Sequence, residues 1–506
     1  MAQRENPIDQ IERLLRSGEA PQAAAAATAL LAKVPSSFPA YLGRARAYLM
    51  ADRKIEAERD LREALRLSPK DELANLLRAQ LDLSYGKFDE AFARLGPLAA
   101  GRGQLASDAT IAMLDALSST GRREEMKEIG RRGGSWTSDP RAPLHLARIA
   151  AAEDPRRGIE GMLAIFRGRH PLAFRRRAGF EAVLLLDRLG EYREAFATAT
   201  EVHGVTSPPV ELNGPVFQPL QELLAMLERG ERWIQPRVAP VSGVAMMLAL
   251  PRSGTTLLEQ MLDRHPDISG IGEYEGLRAI IHGLDNTGFW PRRPAAIATA
   301  RLAELQALYL EGAGHIRRPG APWIFDKFLR AWRSIPEIAA VLPGAVGIAV
   351  DRDPRDTATS IHLSYFDIGV TAWGGDFVAM RKAMTLKRRI TELSVRLFEM
   401  PHVHISYEDL VEDPAYHAGR CLEMMGLPMD PRVLHPEANT RQTVTLSSEQ
   451  VKRPINRSSI GRWRNYEFAF DGAWDALADE HAQLTERTRA ARLASAGISG
   501  SNPASA

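Results

Sequence analysis

Apolar positions along the chain follow two different periods, and the change comes near Ile234–Gly243. Upstream, apolar and small residues recur at helical spacing, in short amphipathic runs separated by polar turns. A repeat of 34 residues runs through this part: Gly18, Asp52 and Gly86 are 34 apart, as are Ala23, Ala57 and Ala91, and Pro35 and Pro69. Downstream, continuous apolar runs alternate with amphipathic ones. Ala245–Leu250, Trp323–Asp326, Ala345–Val350 and Val403–Ser406 predict strands, each followed by a polar turn. Such alternation predicts an α/β domain with a parallel sheet.

Within one period, Leu42–Leu49, a turn at Ala51–Lys54, and Ala57–Leu67 closed by Ser68 and Pro69 spell helix, turn, helix. This unit resembles the tetratricopeptide repeat, with Gly121 and Gly190 opening degenerate later turns. The expected organisation is an α-solenoid over residues 1–235 and a P-loop-type α/β domain over 236–493. A small, polar tail over 494–506 is expected to be disordered. A stack of repeats curves into a concave face, suited to holding a peptide or to self-association.

Composition narrows the partners. A net charge of +2 gives no field that calls for nucleic acid or an anionic membrane. A single cysteine, Cys421, excludes an intrachain disulfide and a multi-cysteine metal site. His402 and His404 alternate along one strand and read as structural, so no metal is expected. No apolar run is long enough to span a bilayer and the first residues open no signal-like segment, which makes the cytoplasm the expected location.

The chemistry is concentrated behind the predicted strands, where ligands of open α/β sheets collect. Val244–Asp263 reads as strand, tight loop and helix, with the loop at Pro251–Thr256. Backbone N–H groups and the positive end of a helix dipole converge there on any anion. Against the triphosphate loop G-x-x-x-x-G-K-S/T, Ala249 stands for the first glycine and Thr255 for the lysine that reaches the β- and γ-phosphates. The anion is therefore expected to differ from a Mg-bound triphosphate. Lys327 follows the second strand. Arg352 follows the third, in Asp351–Arg355, and offers a bidentate fork to a phosphate. Two other classes remain open: a P-loop phosphotransferase or kinase, for which Asp351 imitates a Walker B residue, and an inactive interaction module built on the repeats.

The spelling P-R-S-G-T-T-L-L from Pro251 closely resembles the phosphosulfate-binding loop of sulfotransferases that use 3′-phosphoadenosine 5′-phosphosulfate (PAPS). It is most similar to the tyrosylprotein sulfotransferases and their bacterial relatives with tetratricopeptide repeats. The resemblance implies that backbone and side chains of Arg252, Ser253, Gly254, Thr255 and Thr256 hold the phosphosulfate, and that Arg352 and Ser360 grip the 3′-phosphate. It implies Lys327 as the lysine that steadies the leaving phosphate, and a glutamate after Gly272 as base. An ungapped count from Arg252 selects Glu273; aligning on the glycine selects Tyr274, and Glu275 is a further candidate. Tyr407, in the Y-E-x-L-like segment from Ser406, would contact adenine. The segment from Ser447 to Asn456 resembles a loop that closes over the nucleotide, giving Ser447 and Arg453 phosphate contacts, and Arg462 a further one on the 3′-phosphate. The reaction implied moves a sulfuryl group to an acceptor hydroxyl on a peptide, sugar or small phenol, without a metal.

Overall fold

The computed structural model describes residues 6–51, 53–285, 287, 292, 297–366, 372–439, 441 and 453–495. Asp52 of the repeat series, Ser447, and residues 496–506 of the expected tail lie outside them. The chain forms two compact units, one up to Met162 and the other from Leu163 onward. Among the described residues no helix is long and apolar enough to cross a membrane.

The first unit is helical, and its period sets its packing. Helices Pro7–Arg16, Ala20–Lys33, Phe38–Met50, Lys54–Leu67, Glu72–Ser84 and Phe88–Ala99 follow one another, each against its sequence neighbours. Ala23, Ala57 and Ala91 occupy equivalent places in alternate helices and are fully buried, where a larger side chain would hold the helices apart. The helix starts repeat too. Ser37 accepts the Ala40 N–H and Asp71, 34 residues on, accepts the Ala74 N–H. Gly18 and Gly86 turn the chain at φ of 78° and 74°, a conformation open to glycine. Successive helices are also tied by charge, as where Arg44 Nε meets the buried Asp60 carboxylate at 2.6 Å.

The second unit is built on a five-stranded parallel sheet in the order β2-β3-β1-β4-β5, with β1 Val244–Ala249, β2 Ile268–Gly272, β3 Trp323–Asp326, β4 Val346–Asp351 and β5 His402–Ser406. β1 is central and wholly buried, which is why its sequence is a continuous apolar run. The two-residue period of a strand sends Val244, Met246 and Leu248 into one core and Ala245, Met247 and Ala249 into the other. Helices 299–316 and 377–397 help to close the first; helices 255–263 and 414–424, the latter carrying Cys421, close the second.

Ile268–Gly272 is not among the four strands predicted from apolar runs, yet it forms the edge strand β2. Its two glycines hide the apolar alternation, and pairing with β3 supplies the order: Ile268 sits opposite Trp323 and Gly270 opposite Phe325. Phe217, Leu220, Leu223, Leu227 and Trp233 also join the first core. The hairpin of helices Leu172–Arg188 and Tyr192–Thr206 packs beside helix Pro354–His362. There His203 stacks on His362 at 5.1 Å and Phe196 packs on the same ring at 4.6 Å.

Candidate active site

The loop after β1 is held in a conformation that a chain of L-residues resists. Arg252 has φ 68° and Gly254 φ 88°. A Cβ on Gly254 would lie 2.2 Å from Tyr407 Cδ2, so glycine is required both by its backbone angle and by the ring packed against it. Helix Thr255–Asp263 starts at Gly254 without a side-chain cap, which leaves its first-turn N–H groups facing the loop. Ser253, Thr255 and Thr256 are buried around this turn.

Arginines converge on the loop. Arg252 Nε donates to Ser360 Oγ at 2.7 Å. Arg352 Nη1 donates to the Arg252 carbonyl at 3.0 Å, Nη2 donates to the Ser459 carbonyl, and Asp356 lies 3.5 Å from it. The Arg352 guanidinium also lies over the Tyr407 ring, 5.0 Å from its centre. Burial, with the neighbouring charges of Arg352 and Arg462, pushes the Arg252 guanidinium down to about 10. Arg352 Nε is buried with no hydrogen-bond partner among the described residues. Cations gathered under such conditions are stabilised by an anion among them, and this arrangement fits a phosphate-like group.

The ends of β2 and β3 bring the other reactive groups together. Lys327 is 2 % exposed; its Nζ donates to Glu273 Oε1 at 2.9 Å and lies 4.0 Å from Glu259 Oε2. Glu259, on the helix after the loop, accepts the Gly272 N–H at 2.9 Å and so ties that helix to the end of β2. Behind the lysine, burial raises the Asp326 carboxyl to about 7 while Tyr309 donates to it at 2.8 Å. Tyr274 and Glu275, the alternatives to Glu273, face elsewhere. Tyr274 packs on Tyr309, and burial raises its phenol to about 12; Glu275 pairs with Arg278 at 2.6 Å.

The remaining candidates separate. Tyr407 is buried beneath Arg352 and against Gly254, where it packs the loop. Arg453 is exposed. Arg462 is held by Asp187, its Nη2 donating to both carboxylate oxygens at 2.7 and 2.6 Å. Arg355 pairs with Asp353 and Asp475 and lies over Trp463. Asp351, the Walker B imitation, is committed to protein cations: Lys387 Nζ donates to it at 2.5 Å and His404 Nε2 lies 2.8 Å away. Against the effect of burial, these two hold its carboxyl well below the usual range. Glu259 and Asp187 were not singled out from the sequence, because each looks like an ordinary acidic residue on a helix.

Residues 245–431 match the family model described as "Sulfotransferase family". An uncharacterized protein of Aquifex aeolicus is 26% identical over 315 residues, covering 59% of this chain and 40% of its own. Protein-tyrosine sulfotransferase A of Caenorhabditis elegans is 28% identical over 230 residues, covering 42% of this chain and 59% of its own. The chain thus spans less than two thirds of the length of either relative. The solved sulfotransferase domain from the Synechococcus PCC 7002 olefin synthase is 19% identical, with a TM-score of 0.33, covering 50% of this chain and 98% of that one. Residues 245–431 thus match the sulfotransferase family model, and a run of helices precedes them.

Proposed function

We propose that the chain transfers a sulfuryl group from PAPS to an acceptor hydroxyl. The observation that carries this reading is the partly buried meeting of Arg252, Arg352 and Ser360 on a strand–loop–helix turn that has Thr255 where a triphosphate site has lysine. In this reading the first-turn N–H groups of the helix after β1, with Ser253, Thr255 and Thr256, hold the phosphosulfate. Arg352, Ser360 and Arg462 hold the 3′-phosphate side. PAPS, when bound, supplies an SO₃ group on an activated bridging oxygen.

The chain's own residues have three tasks, and positioning and electrostatics dominate them. Lys327, fixed by Glu273 and Glu259, keeps a positive charge at the end of β3 where negative charge grows on the leaving phosphate. Glu273, 47% exposed against 2% for its partner, stands on the solvent side and takes the acceptor's proton. Arg252 balances the oxygens of the loop-bound anion. None of these tasks requires a metal in this proposal, and Asp351 is already engaged by Lys387 and His404.

The printed names of several relatives, protein-tyrosine sulfotransferases, make a tyrosine phenol the first acceptor to test. A phenol surrenders its proton more readily than an alcohol, which suits a single carboxylate base. We further propose a cytoplasmic location, testable by cell fractionation, and a peptide-holding role for the repeats. The experiment is transfer of ³⁵S from labelled PAPS to tyrosyl peptides, phenols and sugars in parallel. Label on at least one hydroxyl acceptor, lost in Lys327→Ala, is the expected result. Absence of label on every acceptor together with hydrolysis of Mg-ATP would replace this reading with the phosphotransferase one.

A further inference from the structure

We infer that Asp187, on helix Leu172–Arg188 and 58 residues before the sulfotransferase-family segment begins at 245, positions Arg462 for the 3′-phosphate of the nucleotide. The inference rests on the functional reading above and adds a residue to it that lies outside the family domain.

The argument begins with where Arg462 sits. It follows Gly461, which takes the left-handed φ of 74°, and opens the helical turn Arg462–Ala469. The buried Asp356 carboxylate pins this turn to the helix that carries Ser360, accepting the N–H groups of Gly461 at 2.7 Å and Trp463 at 2.8 Å. The same Asp356 lies 3.5 Å from Arg352, so the turn carrying Arg462 is tied to the arginine cluster, and the charge of Arg462 adds to the lowering of the Arg252 guanidinium. Three guanidiniums in one place repel one another, and each needs a fixed partner to stay. Arg252 has Ser360, and Arg352 has two carbonyls with Asp356 at 3.5 Å.

Arg462 depends on Asp187. Its Nη2 alone makes both contacts with the carboxylate, so Nε and Nη1 take no part in the pair. The same carboxylate accepts the Tyr466 hydroxyl at 2.7 Å, and Tyr466 packs against Tyr192 at 5.3 Å. Asp187 is 10% exposed, and its own helix hairpin holds it in place. Among the described residues Arg462 is a charged side chain clamped by one nitrogen, with its other donors available to an anion. A helix hairpin upstream of the catalytic domain thus contributes to nucleotide choice.

The test is calorimetric binding of two probes, adenosine 3′,5′-bisphosphate and adenosine 5′-monophosphate, to the full chain and to Arg462→Ala, Asp187→Asn, the double variant and Tyr466→Phe. Loss of a charge-assisted contact predicts that Arg462→Ala weakens the bisphosphate about tenfold and Asp187→Asn about fivefold, with the monophosphate unchanged. The double variant should match Arg462→Ala, and Tyr466→Phe should keep the wild-type ratio between the probes. If Arg462→Ala leaves that ratio unchanged, the 3′-phosphate reading of the site fails, and the inference with it. If Arg462→Ala shifts the ratio and Asp187→Asn does not, only the inference fails. If Asp187→Asn weakens both probes alike, Asp187 merely supports the fold and the inference is likewise overturned.

Discussion

Lys327 Nζ lies 2.9 Å from Glu273 Oε1, and the two partners stand on opposite sides of the site wall, one 2% and the other 47% exposed. The buried member meets the carboxylate in place of water, and the outer member faces solvent. One ion pair therefore joins the two halves of the proposed reaction. A pair so placed should be worth more to chemistry than to binding, because charge at both groups changes mainly in the transition state.

Replacing Glu273 by Gln should lower the rate of sulfuryl transfer by about 10²–10⁴-fold, the range of a lost general base. Replacing Lys327 by Ala should cost at least as much. Both variants should bind adenosine 3′,5′-bisphosphate within a few-fold of the parent. Single-turnover transfer and calorimetry measure the two quantities separately. Wild-type turnover in either variant removes that residue from the mechanism.

Arg252 and Ser360 form one unit, since the hydroxyl accepts the guanidinium Nε at 2.7 Å. Arg252→Ala should weaken the bisphosphate by about 10–100-fold, and Ser360→Ala by less than about tenfold. The two losses should not add, because removal of either group breaks the same bond. Additive losses in the double variant would show that the residues act separately.

Gly254→Ala combines a φ of 88° with a Cβ 2.2 Å from the Tyr407 ring. The backbone term alone costs about 1–2 kcal/mol. The fold should survive, because the strain is confined to one loop, while nucleotide affinity should fall more than about thirtyfold as the anion seat opens. Far-ultraviolet circular dichroism and calorimetry on the same sample check both parts. Unchanged affinity would mean that the loop does not hold the anion.

The stacked histidines predict an acid-sensitive fold. Burial lowers His203 to about 4 and His362 to about 3, from the ordinary 6.5. Both are therefore neutral when folded, and between about pH 4 and 6.5 the unfolded chain binds more protons than the folded one. Stability should be complete above about pH 6.5 and fall as pH drops through that window. By pH 5 the loss from the pair should be about 4 kcal/mol. Urea unfolding of the parent and of His203→Gln from pH 5 to 7.5 tests this. A shallower slope in the variant is expected; identical slopes would assign the acid sensitivity elsewhere.

Four of the strands could be read from their apolar runs because a parallel sheet buries both faces and admits few polar residues. The edge strand β2 escaped notice for the opposite reason: Gly270 and Gly272 carry no side chain, and backbone pairing with β3 defines the strand. Site residues at strand ends, such as Lys327 and Arg352, are legible because sheet topology brings strand ends together. Glu259 and Asp187 are not, since their roles depend on a backbone N–H 13 residues away and on a guanidinium 275 residues away. The repeat was legible where small residues recur at one spacing. Later helices such as Gln104–Thr120 keep the architecture with different buried residues, and their sequence blurs accordingly.

The central claim is that the loop after β1 receives a 3′-phosphorylated nucleotide in place of a Mg-bound triphosphate. Calorimetric titration of the full chain with adenosine 3′,5′-bisphosphate, repeated with Mg-ATP, tests it most directly. The account predicts saturable binding of the bisphosphate, weakened about 10–100-fold by Arg252→Ala, and no measurable heat from Mg-ATP. Tight binding of Mg-ATP with none of the bisphosphate would contradict it.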